Sequence, residues 1–366
     1  MTEELGEYDV LDILTGYQPA AALATAVRLG VFDAVLAGAG VADADPDGRA
    51  GAASAVAGVD SGAGVSANEV AERCGSAPAA TRALLDALVG LRLLAAADGP
   101  PDERSYLPTP IAARLSRGGD LVDLVGKESY LAGEWQQLHR AVQSGTPTIA
   151  PWRARVADDP ETARSFLRAL VTLARLTGPD LAALPELTAT MPPGARPRHV
   201  VDVGGGLGSY AVPLAGAGAS VTLVELPAVA AWAAEDTAAT PGVTVLAADV
   251  LADGEPSLGV PAGTADAVLV SHLLHDLDDA AAALLLARAR AALAPSGALV
   301  VLEIPGDAAG LPGAFGPLFD LMMQIETPGR ARLAPELIRM LEAAGFVAVR
   351  SAGVPAPNLV LVGEAP

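Results

Sequence analysis

The chain has 366 residues, 51% of them hydrophobic and 18% charged, with a formal net charge of −20. That length accommodates two domains with a large core, and the negative balance argues against a protein that grips a nucleic-acid backbone. The single cysteine, Cys74, excludes an internal disulfide and a cysteine-based zinc site.

Residues 1–18 carry acids but no basic residue, unlike a secretory signal, and the apolar stretches are broken by charges before they reach membrane-spanning length. The expectation is a cytoplasmic protein without a membrane partner. Residues 8–37 space Val10, Leu11, Leu14, Leu23, Val27, Phe32, Val35 and Leu36 as helices do. Residues 38–64, almost wholly Gly, Ala, Asp, Ser and Val, read as a flexible insertion. Ser66-Ala-Asn-Glu69 has the form of a capping box opening a helix. A second amphipathic helix over 78–94 carries Leu84, Leu85, Leu88 and Leu91, and a hairpin comes next, ending at Tyr106-Leu-Pro-Thr109. Helix, turn, helix and β wing is the winged-helix pattern. Its second helix offers only Arg82 and Arg92, with Asp86 between them, too little positive charge for DNA. Packing or dimerisation is the better reading. Residues 120–182 read as helical, with Trp135, His139, Phe166, Leu170 and Leu173 inward. The proline-rich stretch Met191–Pro197 marks a boundary, giving a helical, winged-helix domain over 1–185 and a second domain over 198–366.

From 198 onward strands and helices alternate. Strands are predicted at 199–203, 220–225, 243–247, 265–270, 298–304, 346–351 and 358–362, with the clearest helices at 279–294 and 335–344. Alternation of this kind predicts an α/β, Rossmann-like fold, a mainly parallel sheet covered by helices. The short break Gly353–Pro357 lets the last two strands form a hairpin and an antiparallel edge.

The first strand runs into Val200-Val-Asp-Val-Gly-Gly-Gly-Leu-Gly208. Glycines at 204, 206 and 208 let a ligand approach the backbone, and the next helix turns free N–H groups toward it. A hydride-transfer fingerprint, G-x-G-x-x-G, would need glycine where Ser209 stands. The acid at Asp202 suits a cationic, amine-bearing ligand such as S-adenosylmethionine better than a pyrophosphate; a plain tight turn is the competing reading.

Ligands in such sheets bind at the carboxyl ends of the strands. Strand two ends in Glu225, twenty-one residues past Gly204, where a carboxylate can accept both ribose hydroxyls of an adenosyl group. Asp249 comes after strand three, placed to accept from an adenine amino group. Leu226, Val250, Ser271 and His272 complete the cofactor side. Strand four leads into Ser271-His-Leu-Leu-His-Asp276, and Glu303 closes strand five. Any one of these acids alone reads equally as a solvated loop charge, and Asp276, Asp278 and Asp279 as helix caps. A lone histidine after a strand is commonly structural, yet two of the four histidines, His272 and His275, lie in this one segment. His272 is expected to support the site or pack against the cofactor. Phe315, Phe319, Met322 and Met323 suit a flat apolar substrate or, equally, an ordinary core. His272, His275, Asp276 and Glu326 offer metal-ligand types, but an i, i+3 histidine pair is thin evidence and no metal is expected.

Taken together, Asp202-Val-Gly-Gly-Gly-Leu-Gly208, Val224-Glu-Leu-Pro227, Ala248-Asp249, Leu274-His-Asp-Leu-Asp-Asp279, Glu303-Ile-Pro305 and Leu341-Glu-Ala-Ala-Gly-Phe346 resemble the small-molecule S-adenosylmethionine-dependent O-methyltransferases of plant caffeate and bacterial polyketide type. The resemblance spans nearly the whole chain. It implies a homodimer formed through the helical N-terminal half and S-adenosylmethionine bound in the C-terminal domain. It implies His275 as general base toward a substrate hydroxyl, Glu303 orienting its ring, and Asp276 beside it. It places Trp135, Phe166, Leu170, Phe319, Met322 and Met323 around a small aromatic or polyketide-like substrate. The chain departs from the family pattern at Ala331, where a second glutamate usually stands, at Leu277, usually Trp, and at Gln324 and Glu326, commonly aliphatic. These departures favour keeping open a non-methylating reaction that retains the cofactor as a bound cation, alongside C- or N-methylation. A winged-helix regulator that senses S-adenosylmethionine is the third reading, opposed by the scarcity of basic residues.

Overall fold

The computed structural model describes residues 6–40, 64–97, 100, 103–188, 196–308 and 315–366. The insertion expected over 38–64 therefore lies outside the described residues except at its ends. The chain forms two compact units, Met1–Leu131 and Ala132–Pro366.

In the N-terminal unit, α1 (Glu7–Thr15), α2 (Tyr17–Leu29) and α3 (Val31–Gly38) replace the single periodic stretch over 8–37. Gly30 separates α2 from α3: its φ of 70° is left-handed, and its N–H closes the carbonyls of Ala26 and Val27. Then come β1 (Val65–Ser66), α4 (Ala67–Cys74), α5 (Pro78–Gly90), β2 (Leu94–Ala96), β3 (Ser105–Pro108) and α6 (Pro110–Arg114). The capping box forms as expected. The Ser66 hydroxyl accepts from the Glu69 N–H, and the Glu69 carboxylate accepts from the Ser66 N–H at 2.9 Å. The strands make an antiparallel sheet in the order β1-β3-β2, so this unit is not purely helical. Phe32, Val35, Val70, Leu85, Leu88 and Tyr106 fill its core.

The face of α1 and the start of α2 are different. Tyr8, Ile13, Leu14 and Tyr17 are 63–83% exposed, and α1 buries none of its residues. Glu7–Leu29 is long and apolar enough to cross a membrane by length and composition alone, with 6% of it buried. The stretch is not uninterrupted: Glu7, Asp9 and Asp12 crowd its first turns, and Gly16 divides α1 from α2.

Helix α7 (Val122–Trp135) passes through the division. The C-terminal unit continues with α8 (Leu138–Ser144), α9 (Trp152–Asp158), α10 (Pro160–Thr177) and α11 (Pro185–Thr188). These helices precede the proline-rich stretch yet pack with the sheet domain beyond it. Leu181 and Leu187 are buried with Val200, Leu214 and Leu223, and Leu167 with Leu207 and Val229. The packing boundary therefore falls well ahead of residue 185.

The sheet is built from β4 (His199–Val203), β5 (Ser220–Glu225), β6 (Val243–Ala247), β7 (Ala265–Ser271), β8 (Leu293–Glu303), β9 (Val347–Ala352) and β10 (Leu359–Glu364), in the order β6-β5-β4-β7-β8-β10-β9. Helices α12 (Ala211–Gly216), α13 (Pro227–Thr237), α14 (Asp279–Ala292), α15 (Phe315–Glu326) and α16 (Ala334–Ala343) lie between the strands in sequence. The strands from β6 to β8 run parallel, while β10 is antiparallel to both neighbours. The last hairpin thus inserts β10 between β8 and β9, leaving β9 at the edge. Sequential strand order reverses between β4 and β7, so β4, β5 and β7 deliver their carboxyl ends to one switch point.

The central strands are buried on both faces, with Val200, Val268, Leu269 and Leu299 at 0% exposure. Leu269→Ala in β7 should destabilise the C-terminal unit by about 2–5 kcal/mol through lost burial and the cavity left behind. A lowered urea midpoint for the sheet domain checks this.

Candidate active site

At the β4 turn, Gly204, Gly206 and Gly208 have φ of 65°, 59° and 91°, a region that favours glycine. Gly205, which the sequence pattern alone does not single out, is required for another reason. A Cβ there would lie 2.5 Å from Asp202 Oδ2. The Asp202 carboxylate therefore sits beneath the turn at 0% exposure rather than in open space. Neither oxygen has a partner at full hydrogen-bond geometry, although the Ala211 N–H approaches closely enough to oppose the pKa shift. Burial, then the charge of Glu225, pushes this carboxyl up to about 7.

Glu225 is held at the end of β5. Its Oε1 accepts from the Gly206 N–H at 3.0 Å and its Oε2 from the Leu226 N–H at 2.9 Å. Each oxygen keeps a further lone pair. Burial raises this carboxyl too, against those two hydrogen bonds. Two crowded acids under a glycine cradle fit a ligand that brings hydroxyls and a positive charge. Asp249 is engaged on the same side. Its Oδ2 pairs with Arg153 of α9 at 2.6 Å and its Oδ1 accepts from the Leu251 N–H at 3.0 Å. The Val250 carbonyl accepts from Arg288.

Beyond β7 the chain forms a short 3-10 turn, Leu274–Asp276, preceded by His272 with a left-handed φ of 51°. Two buried side chains fix this turn. Glu303, 2% exposed at the end of β8, accepts from the N–H groups of Leu273 (3.2 Å) and Leu274 (2.8 Å) through Oε1. Arg332, also 2% exposed, donates to the carbonyls of Leu274 (2.6 Å) and Leu277 (2.9 Å) and to Asp279. Arg332 lies next to Ala331, the one position of this segment that the family pattern marks as unusual. Ala331 is buried, and its N–H donates to Asp320 at 2.9 Å.

The second oxygen of Glu303 accepts from His275 Nδ1 at 2.6 Å. Because an ionised carboxylate only accepts, this fixes the proton on Nδ1 and leaves Nε2 for the site. Nε2 lies 3.7 Å from Asp276 Oδ1, beyond hydrogen-bond length, and the Asp276 side chain is 44% exposed. Burial pulls the His275 pKa down, but Glu303, Asp276, the Glu303 hydrogen bond and Glu326 outweigh it and carry it to about 9. Burial raises the Glu303 carboxyl, and the charge and hydrogen bond of His275 more than reverse this, leaving it low. Partial loss of hydration on its inner side, then the nearby acids Glu326 and Glu303, raise Asp276 to about 6, against the charge of His275. His272, whose ring centroid is 6.0 Å from that of His275, falls to about 4 through burial. Ligand atoms of His272, His275 and Glu303 lie within 4.8 Å of one another. Within that cluster, His275 Nδ1 and Glu303 Oε2 are joined directly by the 2.6 Å hydrogen bond.

On the far side of His275, the Phe319 ring meets the imidazole edge-on at 5.1 Å. Phe319, Met322, Met323 and Glu326 recur on α15 at helical spacing, with Met323 buried at 2%. Phe166 is brought near through Arg155, whose guanidinium lies 4.6 Å from the Phe166 ring and 4.9 Å from that of Trp152. Arg155 and Glu326 form an ion pair of 2.9 Å, both side chains about nine-tenths buried. Neither Arg155 nor Trp152 is expected here from the sequence, because a lone arginine on a short helix leaves no periodic signal. Trp135 at the end of α7 is half-buried, and Leu170 on α10 is 36% exposed. Among the described residues, no ring contact or hydrogen bond joins either to the histidine.

Residues 135–347 match the O-methyltransferase domain and residues 51–118 the O-methyltransferase dimerisation domain. The chain is 30% identical over 360 residues to 3-hydroxy-5-methyl-1-naphthoate 3-O-methyltransferase of Streptomyces sahachiroi, covering 95% of this chain and 91% of that one. It is 32% identical over 312 residues to acetylserotonin O-methyltransferase of Mus musculus molossinus, covering 78% and 76%. Among solved structures, human N-acetylserotonin methyltransferase in complex with SAM superposes with a TM-score of 0.76 at 20% identity, covering 100% and 99%. The chain belongs to the S-adenosylmethionine-dependent O-methyltransferase family, with a class I methyltransferase fold and that family's dimerisation domain.

The His275–Glu303 pair has a pH signature. A histidine raised above its unfolded value of about 6.5 contributes stability that is complete below that value and is lost as pH rises through the folded value, here about 9. Wild-type protein should therefore lose stability between pH ~6.5 and ~9, and Glu303→Gln should flatten that limb. Urea midpoints across this range check it.

Proposed function

We propose that this enzyme transfers a methyl group to a hydroxyl of a small aromatic or polyketide-like natural product, with His275 as general base. The observation that carries the reading is the 2.6 Å bond from Nδ1 to Glu303, which leaves Nε2 facing a half-exposed carboxylate and the Phe319 face of the site. Bound S-adenosylmethionine supplies a methyl group made electrophilic by a sulfonium. Gly204 and Gly206 offer the backbone approach for it and Glu225 accepts the ribose hydroxyls. Leu226, Val250, Ser271 and His272 flank it, and Asp249 accepts the adenine amino group once its pairing with Arg153 is rearranged. Asp202 acts from below the turn, by charge rather than contact.

His275 Nε2 takes the hydroxyl proton, Glu303 holds the ring and stabilises the imidazolium that results, and Asp276 accepts a hydrogen bond beside it. Phe166, Phe319, Met322 and Met323 line the apolar substrate face, with Trp135 and Leu170 at its periphery. The relatives support this substrate class, since they act on a hydroxynaphthoate, on acetylserotonin and, in Streptomyces glaucescens, at an 8-hydroxyl in tetracenomycin polyketide synthesis.

S-adenosylhomocysteine release, with N-acetylserotonin and hydroxynaphthoic acids as probe acceptors, tests the reading. His275→Ala should lower turnover by about 10²–10⁴-fold while calorimetric affinity for S-adenosylmethionine is kept, and Glu225→Ala should reverse that pattern. Because the base must be neutral, wild-type kcat/KM should climb as pH rises toward about 9. Acceptor conversion without S-adenosylhomocysteine release would replace the reading with a non-methylating one.

The exposed apolar face of α1 and the start of α2 supports a homodimer through the N-terminal unit, in a cytoplasmic protein. Exposed patches of this kind mark interaction surfaces. Ile13→Glu with Leu14→Glu should shift the sedimenting species from dimer to monomer and leave the sheet domain folded. A wild-type monomer at micromolar concentration would remove the dimer from the proposal.

A further inference from the structure

The Arg155–Glu326 pair is unused by the proposed chemistry, yet it is built into the walls of the site from three directions. Glu326 ends α15. The carbonyl just before it, that of Ile325, accepts from the N–H groups of Thr148 (3.0 Å) and Ile149 (3.1 Å), in the loop that leads to α9. The residue just after it, Thr327, donates its hydroxyl to the His275 carbonyl at 3.3 Å. Two residues further on, Gly329 packs so tightly on the 275–277 backbone that a Cβ would lie 2.2 Å from the His275 carbonyl oxygen. The backbone on both sides of Glu326 is thus pinned beside the His275–Asp276 turn, and its carboxylate is held there by Arg155 at 2.9 Å. Arg155 reaches it from α9, flanked by the rings of Trp152 and Phe166. The flanking rings confine the guanidinium, and its planar fork suits a carboxylate.

We propose that Glu326 is a positioning residue that places a second carboxylate on the α15 side of the His275–Asp276 pair, and that Arg155 sets how much of that charge the pair feels. Glu303 of β8 holds the imidazole from behind through Nδ1; Glu326 and Arg155 tune it from in front. The charged and titratable groups facing His275 are then Glu303 from β8, His272 and Asp276 from its own segment, Glu326 from α15 and, through Glu326 and Asp276, Arg155 from α9. The electrostatics agree in sign, with Glu326 raising both His275 and Asp276 and Arg155 lowering Asp276. The inference rests on His275 being the site's proton acceptor, but its test does not need turnover.

With four histidines in the chain, ¹³C-histidine labelling of the full-length protein gives a resolvable titration, and His275→Gln identifies the His275 signal. Glu326→Gln should lower the His275 midpoint by about half a pH unit or more, and Arg155→Met, which uncovers the Glu326 charge, should raise it. Arg155→Lys, which keeps the charge, should restore it close to wild type. Shifts of opposite sign are what a purely structural role would not produce. Shifts in the same direction, or an unmoved His275 in folded Glu326→Gln protein, would overturn the inference. Should Arg155→Met fail to fold, the isosteric Glu326→Gln and the conservative Arg155→Lys still decide it. Failure here would leave the O-methyltransferase reading standing, since that is tested by S-adenosylhomocysteine release.

Discussion

The site depends on one buried carboxylate. Glu303 is 2% exposed at the end of a central strand, so its charge must be met in full by the protein. One oxygen takes two backbone N–H groups of the 272–277 turn and the other takes the imidazole of His275. A single side chain therefore fixes both the path of the turn and the orientation of the ring it carries. Arg332 does the reciprocal work, supplying donors to the carbonyls that the same turn leaves open. The turn's two polar deficits are closed by one anion and one cation, and the histidine has little freedom left. That is the preorganisation a proton acceptor needs if the hydroxyl and its base are to meet in one geometry.

The cofactor end shows the complementary arrangement. Asp202 and Glu225 are pressed together beneath and beside a glycine turn and are both raised by burial. Their crowding is unfavourable in the protein alone and is relieved by a positive ligand. The His275 end already contains its own cations, His275 and Arg155, and its carboxylates are each paired or half-exposed. The sheet edge is thus divided: acids with unmet charge at β4 and β5, and acids already matched at β7 and β8. That division is what the proposed reading requires, a cationic methyl donor at the first and a neutral hydroxyl acceptor at the second.

Much of this is legible in the sequence. The central parallel strands read correctly because they are buried on both faces and appear as short Val- and Leu-rich runs between turns, and edge strand β6 keeps the same Val-rich run although none of its residues is buried. β8 begins at Leu293 rather than 298 because α14 passes into it without a loop, and Pro295, Ser296 and Gly297 resemble a turn on paper. The insertion of β10 between β8 and β9 is not legible, since strand order depends on packing rather than local pattern. Glu225, His275 and Glu303 stand out because strand ends are few and acids there are informative. In sequence Asp202 reads as facing the ligand; only the structure reveals that Gly205 gives way to it beneath the turn. Arg155 and Arg332 are invisible because a single arginine carries no period, and its role is set by partners 171 and 53 residues away.

The ion pairs differ in what stability can explain. Arg350–Glu186 and Arg196–Asp266 have arginines more than half exposed, and such pairs contribute about 0–1 kcal/mol. Their presence needs only local charge balance. Arg155–Glu326 is another matter, with side chains 12% and 11% exposed. Burying two charges costs several kcal/mol of hydration, and apolar residues of similar volume are commonly as stable or more so. Stability alone therefore gives no reason to hold a charged pair there. The pair does lie where α9, α15 and the His275 turn meet, with its acid at the end of α15 next to Thr327, which bonds the His275 carbonyl, and its base flanked by two rings. What it alters in that place is the charge felt by His275 and Asp276, an influence that an apolar pair cannot supply.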